Sequence, residues 1–169
     1  MPTPEQIIAG DAGLSLLQKT LMITDGTVTQ LLEVFTQERI RVEKLEHRLV
    51  EGAPGPLGVG ATEPVLSRVI LLRGASRAYM YAHSWLVPAH MPSGMQDVMR
   101  QTDTPIGQIW KAARLETCRE IVDFRRERDA AVETLLGVDA PLLSRSYLIF
   151  TGGKPMGLVT EKFPATLFA

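Results

Sequence analysis

VLSRVILLRG (65–74) and AYMYAHSWLVP (78–88) are dense in β-branched, aromatic and other apolar residues, and only Ala75, Ser76 and Arg77 separate them. Two such runs joined by so short a turn have the layout of an antiparallel β-hairpin. Side chains alternate across a strand, so Arg68 shares a face with Leu66, Ile70 and Leu72. A guanidinium on an apolar face is the first feature that calls for a physical reason.

The same layout recurs near the C-terminus. LLSRSYLIF (142–150), the turn TGGKP (151–155) and MGLVTEKFP (156–164) form a second strand pair, with the Gly and Pro that a reversal needs. Here Glu161 falls beside Val159 and Phe163, and Arg145, between Leu143 and Tyr147, is a third and weaker case of a charge on an apolar face. Two further strands are expected. At 38–49, Ile40, Val42 and Leu45 alternate imperfectly among charges, and LETCREIVDFRRER (115–128) reads as a long strand running out of the core, its RRER end solvated.

Helical spacing covers Leu14, Leu17 and Leu21, then Val28, Leu31, Leu32 and Phe35 behind a capping box from Thr27 to Gln30. A third helical piece is expected around Met95 to Met99, and a fourth runs from the N-cap Thr104 and Pro105 to about Ala112. Six strands, about four helices, no strand–helix–strand alternation and no internal repeat make this an α+β chain with an antiparallel sheet. The Gly/Pro-rich EGAPGPLGVGATEP (51–64) is long for a connection, and reads equally as a lid or binding segment or as a disordered linker.

A chain of 169 residues, 45% hydrophobic, fills one core, so a single domain over 1–169 is expected. Its 18 Lys and Arg balance 19 Asp and Glu, which gives nucleic acid or an anionic membrane no broad field to bind. Cys118 has no partner for a disulfide and reads as a small, half-buried strand residue. There is no Cys/His cluster, basic leader or long apolar span, so a cytoplasmic protein without a metal is expected.

Familiar catalytic signatures are missing: no G-x-S-x-G elbow, no H-E-x-x-H, no dinucleotide fingerprint. The TGGKP turn is not a phosphate loop, because Pro155 follows Lys154 and a strand follows both. His83 and His90 lack a spacing that would bring both to one metal. Arg68 and Glu161 read most simply as a structural ion pair or as residues of half-exposed faces. The alternative is a dry site for a small acid, which needs a donor fork and a carboxyl group.

Beyond pattern, the order of motifs resembles the chorismate pyruvate-lyase family. The carrying stretches are TDGTVTQLLE (24–33), SRVILLRG (67–74), the strand end WLVP (85–88), TPIGQIW (104–110) and, most specific, GGKPMGLVTEKFP (152–164), in family order over roughly 21–168. The resemblance implies a six-stranded antiparallel sheet with helices on one side and a closed product pocket. It also implies roles. Arg68 holds the substrate carboxylate, Glu161 lies near the ring hydroxyl, and Ile106, followed by Gly107, contacts the ligand through its backbone. Where proteobacterial members carry a basic residue in the third strand, this chain has Ser84 preceded by His83, and it looks more like the actinobacterial and archaeal branch. Ser84 and His83 are both candidate substrate-binding residues, and what meets the second carboxylate of chorismate is left open.

The implied reaction splits chorismate into para-hydroxybenzoate and pyruvate, with Arg68 as anchor and Glu161 moving a proton to or from the departing ether. It has no redox step, so no cofactor is expected. Two rivals stand beside it: a non-catalytic effector-type domain of the same fold, and a lyase for a related aromatic precursor. Oligomeric state is open between monomer and dimer.

Overall fold

The computed structural model describes residues 2–25, 27–92, 94, 95, 97 and 106–169. Six strands, β1 (Arg41–Glu51), β2 (Pro64–Arg73), β3 (Ala78–Leu86), β4 (Cys118–Glu127), β5 (Leu142–Thr151) and β6 (Lys154–Pro164), form one antiparallel sheet. Its order is β1-β2-β3-β6-β5-β4. The two hairpins expected from sequence are therefore joined edge to edge through β3 and β6, which become central strands. The β5–β6 turn is Gly152-Gly153 with φ of 53° and 75°, the doubly positive geometry that matches the twist of two-residue hairpins.

Helices α1 (Pro4–Gly10), α2 (Leu16–Ile23) and α3 (Val28–Thr36) cover one face. Ile8, Leu21, Met22, Val28 and Leu32 pack there on Ile70, Leu72, Met80, Leu143 and Phe163, the alternate positions of four strands. Helix α4 (Ile106–Ala112) closes the same side further along, with Ile109 and Trp110 against Leu66, Leu86, Tyr147, Ile149 and Val159. Buried Gln18 ties α2 down by donating to the carbonyls of Ala165 and Leu167 at 2.8 and 3.0 Å.

Several expectations are refined. Helix α1, and α5 (Ala130–Leu136) between β4 and β5, were not read from sequence. Each is a capped helix of about two turns, too short for a periodic signal. α5 lies on the opposite face, where Val132 and Leu136 meet Leu71, Ala78 and Leu142. Thr27 is the N-cap residue of α3 but makes no side-chain cap bond, so the expected capping box does not form. Cys118, the first residue of an edge strand, is exposed rather than half-buried.

The 51–64 connection is neither lid nor linker: its 3-10 turn Gly55–Leu57 buries Leu57 against Val87, Leu148 and Leu158 on that second face. Thr104, Pro105 and most of the piece around Met95 to Met99 lie outside the described residues. Among the described residues no helix is long and apolar enough to cross a membrane.

Candidate active site

Strand register decides which charges meet. Arg68 on β2 stands opposite Ser84 on β3, which stands opposite Val159 on β6, which in turn faces Tyr147 on β5. One step along, Ala82, Glu161 and Arg145 form the neighbouring row. All of these side chains point to the face covered by α1 to α4. Between sheet and helices lies a small cavity lined by Arg68, Ser84, Glu161, Tyr147, Arg119, Trp110, Gly107 and the Thr27–Thr29 turn, with Ile70, Met80, Val159 and other apolar residues completing the wall.

Arg68 is 1% exposed and Glu161 6%, which places both charges out of solvent. Such burial is costly unless each charge is compensated. For Glu161 the compensation comes from Arg145, itself 1% exposed, whose Nε donates to Oε2 at 2.8 Å. The salt bridge offered above between Arg68 and Glu161 is thus replaced by one between Arg145 and Glu161. Arg145 and Glu161 are cross-strand partners, whereas Arg68 is two strands away from Glu161. The other oxygen, Oε1, accepts from the hydroxyl of Tyr147 at 3.0 Å.

Burial, helped by the adjacent Glu161, pushes the Tyr147 phenol far above the ordinary phenol range, so it remains a neutral donor. Arg145 Nη1 also donates to the carbonyls of Met22 and Thr24, both at 3.0 Å, and so ends α2 and sets the turn that carries Thr27 over the cavity.

Of the residues singled out from sequence, Arg68, Glu161, Ser84 and Gly107 line the cavity. Ile106 stands immediately before Gly107 at the first residue of α4. His83 does not belong with them. Adjacent residues of a strand point to opposite faces, and with Ser84 inward His83 is outward. There its ring stacks on Trp85 with centroids 3.6 Å apart, and its Nε2 lies 2.9 Å from Ser67 Oγ.

Sequence reasoning missed Arg119, Trp110 and Tyr147. Arg119 had a readable signal: it alternates with Ile121 as Arg68 does with Ile70. Its guanidinium stands 5.4 Å from the Tyr147 ring centroid, and that of Arg145 5.2 Å. Among the described residues, no group of three or more His, Cys, Asp or Glu side chains is arranged to hold a metal.

The sheet-and-helix arrangement is that of known effector domains. The effector domain of PhnF from Mycobacterium smegmatis superposes with a TM-score of 0.65 at 16% identity, covering 84% of this chain and 90% of that one. A GntR-family transcriptional regulator from Bacillus cereus gives 0.61 at 14%, covering 77% and 94%. At such identities the likeness shows fold alone. In sequence, a chorismate pyruvate-lyase of Mycobacterium tuberculosis (strain ATCC 25618 / H37Rv) is 26% identical over 169 residues, covering 89% of this chain and 80% of its own length. One from Mycobacterium leprae (strain TN) is 29% identical over 160 residues, covering 89% and 75%. The family model described as "Chorismate pyruvate-lyase Rv2949c-like" matches residues 22–169, across β1 to β6 and every cavity-lining element, and the chain belongs to that family.

Proposed function

We propose that this protein cleaves chorismate to para-hydroxybenzoate and pyruvate in the cavity between the sheet and helices α3 and α4. The observation that carries the reading is the pair of buried ionic side chains, Arg68 and Glu161, on the wall of one cavity. Arg68 offers a planar donor fork to the ring carboxylate. Glu161, steadied by Arg145 and Tyr147, offers an acceptor that does not have to reorganise during the reaction.

The step balances without an electron carrier. A proton leaves the ring carbon that bears the hydroxyl, its electron pair completes the aromatic ring, and the ring C–O bond to the enolpyruvyl group breaks. The departing oxygen takes a proton, and the enol becomes pyruvate. Glu161 receives the first proton and returns it to the departing oxygen. Excluding water and fixing the two groups supply the rest of the acceleration.

Chelator-treated protein incubated with chorismate, with no addition, should release para-hydroxybenzoate and pyruvate in equal amounts by chromatography. Unchanged chorismate, or conversion only when a metal is restored, would overturn the reading. A second reading draws on the likeness to effector domains: the same cavity would bind an aromatic carboxylate without turnover. Saturable para-hydroxybenzoate binding by a protein that leaves chorismate intact would favour it.

A further inference from the structure

We propose that Arg119 is the second carboxylate anchor of the cavity, holding the carboxylate of the departing enolpyruvyl group while Arg68 holds the one on the ring. This deepens the lyase reading and rests on it. The substrate of that reaction is a dianion whose two carboxylates end in different products. A second carboxylate brought out of solvent into a buried cavity needs its own cation. Arg145 is committed to Glu161 and to the carbonyls of Met22 and Thr24. Arg119 is the other guanidinium on the wall besides Arg68 among the described residues.

The topology puts the two arginines at opposite ends of the site. Across β2-β3-β6-β5-β4 four strand spacings separate them, about 19 Å between backbones at ~4.8 Å each. Both side chains still reach one cavity, so they enter it from opposite sides. The middle strand of the five is β6, and Glu161 lies on it. The proton-moving group thus stands between an anchor for the ring and an anchor for the leaving group.

Arg119 is oriented for this. Its Nη1 donates to the carbonyl of Asp25 at 2.9 Å, its Nε is 3.5 Å from the Asp25 carboxylate, and its guanidinium lies over the Tyr147 ring. Its side chain is 13% exposed, while Asp25 is 72% exposed and so a weakly competing counter-charge. At the first turn of α4 a Cβ on residue 107 would sit 3.6 Å from Arg119 Nη2, and any longer side chain would extend over that nitrogen. Glycine there keeps the approach open.

The test compares substrate with product, since para-hydroxybenzoate lacks the second carboxylate. Arg119→Gln should raise the KM for chorismate by about 30-fold or more, as loss of a buried charge partner does. Para-hydroxybenzoate affinity should stay within about threefold of wild type, a change of under roughly 1 kcal/mol. Arg119→Lys should recover part of the loss. An unchanged KM, or equal losses for substrate and product, would overturn the assignment. Should Arg119→Gln not fold by circular dichroism, the wild-type protein decides. 3-(Carboxymethoxy)-4-hydroxybenzoate, which adds an ether-linked carboxylate to the product ring, should bind at least about 10-fold tighter than para-hydroxybenzoate, a gain typical of one charge-assisted contact. Equal or weaker binding overturns the proposal. A wild-type protein that leaves chorismate intact yet prefers this dianion sinks the lyase reading and leaves the two-anchor assignment standing.

Discussion

Arg68 and Arg145 show how one residue type takes different parts according to its strand. Arg145 faces Glu161 across a β5–β6 pair and neutralises it, while Arg68, on β2, supplies a positive charge to the cavity wall. Replacing Arg68 by Ala should weaken para-hydroxybenzoate binding by roughly 2–5 kcal/mol, as truncation of a buried charge partner does. Calorimetric titration of the folded variant checks this, and wild-type affinity would remove Arg68 from the site. Glu161→Gln keeps size and one acceptor but carries no transferable proton, so single-turnover cleavage of chorismate should slow by roughly 10²–10⁴-fold. Product affinity should fall far less. The same change leaves Arg145 without its counter-charge, so a lowered melting temperature accompanies it. A chemical step within about threefold of wild type, under roughly 1 kcal/mol, would mean that Glu161 only balances Arg145.

At the scale of elements, β2 and β3 carry separate chemistry on their two faces. Inward lie Arg68 and Ser84; outward, Ser67 donates to Glu46 at 2.6 Å and meets His83 at 2.9 Å. With the Ser67 proton on Glu46, His83 donates from Nε2 to Ser67 Oγ. Burial holds the His83 imidazole below its ordinary value, with Glu46 opposing the shift and Arg48 adding to it. The unfolded chain then takes up this proton at a higher pH than the folded one. Stability from this group is complete above the ordinary histidine value of about 6.5 and is lost as pH falls from there through the folded value. Urea midpoints should therefore decline between about pH 7 and 5.5 around that value, and His83→Gln should flatten the decline. An identical slope in the variant would clear His83 of the effect.

For the whole molecule, the sheet is open, and its two edges are β1 and β4. Both edges are rich in charge, with Lys44, Glu46 and Arg48 on one and Glu120, Asp123 and Arg125 on the other, and both carry a register shift, at Lys44/Glu46 and Ile121/Asp123. Charges and bulges of this kind blunt an edge against pairing with another sheet. The four interior strands β2, β3, β6 and β5 are held on both sides and covered on both faces. Hydrogen–deuterium exchange should run slowest in those four and faster in the outward amides of β1 and β4. Protection greater at the edges than in β6 would contradict the sheet order.

Strand alternation is a local property of the backbone, and it made much of this protein legible from sequence. The two hairpins, the α+β class and the inward faces of Arg68, Glu161 and Arg145 all follow from a period of two. The same rule already separates His83 from Ser84, which resemblance alone had grouped together. Family motifs added roles that periodicity does not contain. What the tertiary structure decided is non-local. Pairing of β3 with β6 joins hairpins far apart in sequence and brings Arg68 of β2 to the same cavity as Glu161 of β6, whose partner Arg145 lies within its own β5–β6 hairpin. The same joining brings Arg119 of β4 into a cavity with Arg68 of β2. Such pairings depend on which surfaces meet after the chain has closed long loops, and no window of neighbouring residues records that choice.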